Sequence, residues 1–253
     1  MDRQDELLYS RLCEQAARSV IRKDVEFTRF LDPREQKLAQ KAAGEEGAQL
    51  VLYGAETLER RVCAFDGRYW LDGDQRRLDW PVQPLEISWD SRFASPAHRD
   101  ILGAVLGLGI NRDSTGDIQV GEGRAVLWAL DSAAAYITTN LERAGRATVK
   151  VKPADTVEED APAAEGKMVR DSVQSLRLDA VVAAAFNLSR EEAARAVKSG
   201  LVRVDYEEET RTDRHLAEGM LISVRGMGRA RLLDASARTK RSGRIVLEME
   251  RTK

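Results

Sequence analysis

The chain has 253 residues, 43% apolar and 32% charged, with a formal net charge of −2. That apolar share supports packed cores and excludes a disordered chain; no run reaches the 18 or so apolar residues of a membrane-spanning helix. The charged opening MDRQDELLYSRLCEQ lacks a signal peptide's apolar stretch, so a cytoplasmic protein is expected, and Cys13 and Cys63 are expected as reduced thiols, with no disulfide or metal site.

From the start, Leu7, Leu8, Leu12, Ala16, Val20 and Ile21 form one apolar stripe, which predicts a helix over 2–24. Phe30-Leu31-Asp32-Pro33 restarts a helix, with Asp32 as N-cap and Pro33 in the first turn, ending near Gly44. A buried strand is expected at 48–53, a short helix around 55–61 and a strand at 62–65. From residue 84 the pattern becomes regular. A strand at PLEISW is followed by a helix opened by Ser95-Pro96. Next come a hairpin, 117–120 with 124–128 around Gly121-Glu122-Gly123, a helix from Ser132 to Arg143 and a strand at 148–151. The order β-α-β-β-α-β is the ferredoxin-like pattern, which many RNA-binding modules use. Trp89 and Trp128 read as core residues in preference to exposed base-stackers. Residues 153–172, rich in Pro, Ala and acids, read as a linker. After it come two helices and short strands at 201–206, 220–225, 229–233 and 244–250. The fold class is therefore α+β, in four parts: a helical or mixed region (1–82), a ferredoxin-like domain (83–152), the linker (153–172) and a C-terminal domain (173–253).

Charge is unevenly spread. Residues 172–253 hold 16 Lys+Arg against 12 Asp+Glu, while the remainder holds 24 against 30. A basic end on an acidic body points to a polyanionic partner. Within it, Ser189-Arg190-Glu191-Glu192 is a capping box and Gly200 a helix stop, which predicts a helix over 190–199. At 100° per residue Arg190, Arg195 and Lys198 share one face, and Ala193, Ala196 and Val197 the other. Arg177 and Arg203 flank this helix pair. Arg225, Arg229 and Arg231 lie in a Gly-rich loop whose glycines let the backbone approach a ligand. Together these cations are expected to form one basic surface whose guanidiniums and ammonium neutralise phosphates.

The segment from Arg177-Leu178-Asp179 through Ser189-Arg190, Gly200-Leu201-Val202-Arg203-Val204 and Gly219-Met220-Leu221-Ile222 resembles the small RNA-binding domain named after ribosomal protein S-four. It departs from that pattern at Asp205, where Asn is usual, and at Met220, where Asp is usual, which puts the hairpin geometry in question. Over nearly the full chain, Phe30-Leu31-Asp32-Pro33-Arg34-Glu35, the block His98-Arg99-Asp100-Ile101-Leu102-Gly103-Ala104-Val105-Leu106-Gly107-Leu108-Gly109-Ile110 followed by Gly116-Asp117-Ile118, and Arg225-Gly-x-Gly-Arg229 with Thr239-Lys240-Arg241 resemble the YlmH family. Ala97 stands where the family has Ser, and Ala230 where it has Phe.

The resemblance implies a non-enzymatic bacterial RNA-binding protein that contacts rRNA and tRNA on the large ribosomal subunit and takes part in rescue of stalled ribosomes. Its RNA contacts would fall on Arg177, Ser189, Arg190, Arg195, Lys198, Arg203, Arg225, Arg229 and Arg231. Other roles attached to such proteins are RNA-binding adaptor in cell division or photosystem assembly, or accessory part of an RNA-modifying enzyme. No cofactor, metal, membrane or small-molecule substrate is expected, and a monomer is. The residues agree with a binding role. Leu106-Gly107-Leu108-Gly109 follows a predicted helix where a nucleotide-binding loop would follow a strand. Asp179 reads as a favourable charge in a first helical turn.

Overall fold

The computed structural model describes residues 3–55, 58–68, 78–154, 166–239 and 242–252, and the chain divides into two compact units, 1–163 and 164–253.

The first unit opens with α1 (Arg3–Arg22), β1 (Val25–Leu31), α2 (Pro33–Glu46), β2 (Gln49–Leu52) and β3 (Arg61–Asp66). The Asp32 carboxylate accepts the Arg34 and Glu35 N–H groups, and Glu35 reaches back to the Asp32 N–H, so α2 starts at a full capping box. The helix passes the expected stop at Gly44 and ends at Gly47, whose φ of 75° lets the turn close onto the Ala43 carbonyl. The antiparallel sheet runs β1-β3-β2. Its central strand is buried on both faces: Cys63 and Phe65 pack against Leu12, Ala16, Ala39 and Ala42 of the helices, while Val62 points the other way. Both cysteines are free, and burial pushes the Cys63 thiol up to about 12, which makes it inert. One expectation fails here and one strand is unforeseen: the helix expected at 55–61 is absent from its described part, since 58–60 form an irregular turn and β3 has begun by Arg61, and residues 25–31 are a strand that periodicity did not reveal.

The same unit continues with β4 (Val82–Ser88), α3 (His98–Gly107), a single 3-10 turn at Arg112–Ser114, β5 (Thr115–Val120), β6 (Arg124–Leu130) and α4 (Asp131–Asn140). It closes with a two-residue hairpin, β7 (Arg143–Ala144) and β8 (Ala147–Thr148), and β9 (Lys150–Pro153). The antiparallel sheet order β5-β6-β4-β9 is the ferredoxin-like arrangement. Leu85, Ile87, Ala125 and Leu127 face α3 and α4, packing on Ile101, Val105 and Ile137.

The opposite face of that sheet meets the N-terminal layer. Trp128, 4% exposed, packs with Phe30, Leu58 and Val62. Asp117 of β5 accepts the Glu59 and Arg60 N–H groups at 2.6 and 3.1 Å, and Arg60 donates to the Phe30 and Thr115 carbonyls. Gly116 is needed at this seam, because a Cβ there would stand 2.5 Å from the Phe30 ring. The N-terminal and ferredoxin-like regions therefore share a core.

The second unit contains β10 (Lys167–Val173), α5 (Leu178–Phe186), α6 (Arg190–Lys198), β11 (Val202–Val204), β12 (Glu207–Glu208), β13 (Leu221–Val224), β14 (Gly228–Asp234) and β15 (Ile245–Thr252). The sheet order is β10-β15-β14-β13-β11-β12. The last part of the expected linker is thus a strand: residues 167–173 pair along their whole length with β15. Their polar side chains hid the strand, because only Val173 is buried in it, and an edge strand needs little apolar surface. The core packs Leu178, Val181, Val182, Phe186, Ala193 and Val197 of the helices onto Val202, Val204, Ile222, Leu232, Leu247 and Met249 of the sheet.

Candidate nucleic-acid interface

The helix pair is built as its sequence requires. Asn187 takes a left-handed φ of 55° to end α5, and Ser189 caps α6. The Ser189 Oγ accepts the Glu192 N–H; in return the Ser189 O–H and N–H both donate to the Glu192 carboxylate and hold that carboxyl below its usual range. Ala193 and Val197 are buried; Arg190, Arg195 and Lys198 face outward, as the helical wheel predicts. Arg195 and Lys198 stand in the last turn, favoured by the helix dipole, and enter no ion pair among the described residues.

Asp179 organises the rest of this face. Arg177 Nε and Nη2 reach its two oxygens at 3.2 and 3.3 Å, and Arg190 Nη2 reaches Oδ2 at 3.0 Å. Burial alone would raise this carboxyl, but the two guanidiniums outweigh it and hold it below the usual range. Two guanidiniums carry about ten N–H donors between them, and only a few are taken here. The cluster keeps a net positive charge and free donors at fixed positions.

A second cluster repeats the device with residues the sequence reading missed. Glu209, 8% exposed at its side chain, receives Arg211 at 3.3 Å and Arg214 at 2.9 Å. Burial pushes its carboxyl up, but the arginine hydrogen bonds prevail and bring it to about 2. The Leu178 N–H donates to the Arg214 carbonyl and the Asp179 N–H to the Thr212 carbonyl, so the two clusters adjoin at the start of α5. The signal was the run Arg211-Thr212-Asp213-Arg214-His215, which has no periodicity to mark it.

Arg203, Arg229 and Arg231 do not join this surface. Val202, Val204, Ile222, Val224, Ala230 and Leu232 face the helices, and strand alternation sends Arg203, Arg229 and Arg231 to the other side of the sheet. The row Arg203–Ser223–Arg229 crosses three adjacent strands there, Arg229 lies over the Tyr206 ring, and Arg231 donates to the Gly219 carbonyl. Arg225 occupies the β13–β14 turn, its N–H on the Leu201 carbonyl just beyond α6. The expected single basic surface is two, on opposite faces, because the helices cover the side of the sheet between them. Lys240 and Arg241 lie outside the described residues.

Both departures from the S-four pattern are accommodated. Asp205 adopts φ 49° in the tight turn and its carboxylate accepts the Leu221 N–H at 2.9 Å, as an Asn oxygen would. Met220 Sδ accepts the Ala217 N–H. Ala230 is fully buried opposite Ile222 and Arg251, so a Phe there would enter the core and would not stack on a base.

A two-helix module with a carboxylate-held arginine pair, seated on an antiparallel sheet, defines an S4-type RNA-binding domain, and it follows a ferredoxin-like module. Family models agree: residues 176–222 match "S4 domain" and residues 76–158 match "Putative RNA-binding domain in YlmH". The chain is 31% identical over 229 residues, 90% of its length and 88% of the relative's, to "Ribosome-associated protein quality control protein P2" of Bacillus subtilis (strain 168). It belongs to the YlmH family. A solved structure titled "Cell division protein ylmH from Streptococcus pneumoniae" aligns with 61% of this chain and 93% of its own, at 22% identity and a TM-score of 0.49.

Proposed function

We propose that this protein is a non-enzymatic, cytoplasmic, monomeric factor that binds rRNA and tRNA on the large ribosomal subunit and acts in rescue of stalled ribosomes. The observation that carries the reading is the Asp179-held pair Arg177 and Arg190, continuous on α6 with Arg195 and Lys198. Rigid guanidiniums with outward donors suit bidentate contact with phosphate oxygens, and they recognise charge and shape in preference to base sequence. The similarity to a protein named for ribosome-associated quality control supports the ribosomal setting.

The test is sucrose-gradient sedimentation of cell lysate with and without induced stalling, comparing wild type with Arg190→Ala/Arg195→Ala. Co-migration of wild type with the large subunit, increased by stalling and lost in the variant, is expected. Wild type remaining at the top of the gradient in every condition would overturn the ribosomal assignment. In purified binding to structured RNA the variant should flatten the log–log salt dependence by roughly 1.8, for two lost phosphate contacts.

A further inference from the structure

RNA-recognition modules with a ferredoxin-like sheet commonly stack bases on aromatic side chains of the open sheet face. That route is closed here. Trp128, the aromatic on the outward side of β6, is sealed under Phe30, Leu58 and Val62, and Trp89 packs toward the helix side. The unit instead exposes an aromatic at its rim. Phe93 is 85% exposed, more than any other large apolar side chain among the described residues.

Its loop is ordered by its own bonds. The Phe93 and Ala94 N–H groups both donate to the Asp90 carbonyl, the Asp90 carboxylate takes the Arg92 N–H and guanidinium, and the Trp89 N–H ties the loop to Gly123. Arg92 lies 5.6 Å from the Phe93 ring centre. Next to the loop, Ser88 pairs with Arg124 on one side and Lys150 on the other. All three point to the uncovered part of the outer sheet face, and neither cation enters an ion pair among the described residues. Arg99 of α3 is exposed, with Asp100 at 3.9 Å. The carboxylates nearby are Asp90 and Asp100, both hydrogen-bonded to backbone, Glu122 in the β5–β6 turn, and Glu86 two residues before Ser88 on the same outer face, ion-paired with Lys152 at 3.2 Å.

We propose that the Phe93 loop is a second RNA contact: Phe93 stacks on one unpaired base while Arg124 and Lys150 take the flanking phosphates. A ring carried on a loop held by its own hydrogen bonds leaves less backbone to order on binding, and stacking tolerates any base. Cations beside the ring favour a nucleotide over a purely apolar partner. The proposal rests on the RNA-binding reading above but uses a surface of the other unit.

The test is binding of the full chain to an RNA hairpin with a single-stranded loop and to a blunt duplex of the same stem. The proteins are wild type, Phe93→Ala, Phe93→Leu, Phe93→Trp and Arg190→Ala/Arg195→Ala, with melting curves to confirm folding. Phe93→Ala and Phe93→Leu should lose roughly 5- to 100-fold on the hairpin, while Phe93→Trp retains binding and the duplex affinity does not change. Wild-type hairpin affinity in Phe93→Ala overturns the proposal and leaves the S4 site standing. Full binding by Phe93→Leu also overturns it, because an aliphatic side chain cannot stack as the ring would. If the arginine double variant binds like wild type while Phe93→Ala does not, the S4 assignment falls and this one survives. No binding of wild type to either RNA removes both.

Discussion

A buried carboxylate gripped by two arginines looks like a stability device, but in this protein it also sets charge positions. Asp179 and Glu209 each neutralise one of two guanidiniums and leave the other charge facing out. Glu209 makes the cost measurable. A Glu ionises near 4.3 when free and at about 2 here, so its contribution to stability is complete above pH of about 4.3 and disappears as pH falls toward 2. Glu209→Gln should lower stability at neutral pH by about 1–3 kcal/mol. It should also flatten the loss of melting temperature between those two pH values, read from thermal melts at stepped pH. The arginines of α6 could be read from the capping box and the 100° wheel, because a helix converts spacing into a face. Glu209, Arg211 and Arg214 sit in an irregular segment, where spacing says nothing about which side chains meet.

At the level of elements, strand alternation decided what the loop composition suggested wrongly. Arg225, Arg229 and Arg231 read as one Gly-rich loop, yet the latter two sit on β14 with Ala230 between them pointing into the core. Ala230→Phe should therefore overpack the space shared with Ile222 and Arg251 and cost about 1–3 kcal/mol, measured by urea unfolding. The seam between the N-terminal layer and β5 invites the same kind of test. Gly116→Ala puts a methyl against Phe30 and should lower the unfolding midpoint of the first unit, by a similar amount. β1 and β10 escaped the sequence reading for opposite reasons. Val25-Glu-Phe-Thr-Arg-Phe-Leu runs directly into the helix cap at Asp32, with no turn residue to mark its end, and β10 is mostly polar because it is an edge.

Over the whole molecule the shared core of Phe30, Leu58, Val62 and Trp128 makes residues 1–163 one unit. A fragment of residues 83–163 should expose Trp128 and Val126 and show red-shifted tryptophan emission with poor solubility. A fragment of residues 164–253, which has its own core, should unfold cooperatively. Near-native emission from the first fragment would contradict the shared core. Among the described residues no helix is long and apolar enough to cross a membrane.

By itself the sequence determined the ferredoxin-like order, the helix pair and its outward cations, since caps, periodicity and turn residues are local physics. It also carried the family, through blocks such as His98 to Ile110. Only the tertiary structure decided which face of each sheet is covered. That depends on contacts between residues far apart in the chain: Phe30 and Leu58 burying Trp128, the helices dividing Arg203 and Arg229 from Arg190, and β15 closing on β10. Burial of an aromatic or isolation of a cation is fixed by what packs over it, and no local pattern encodes that partner.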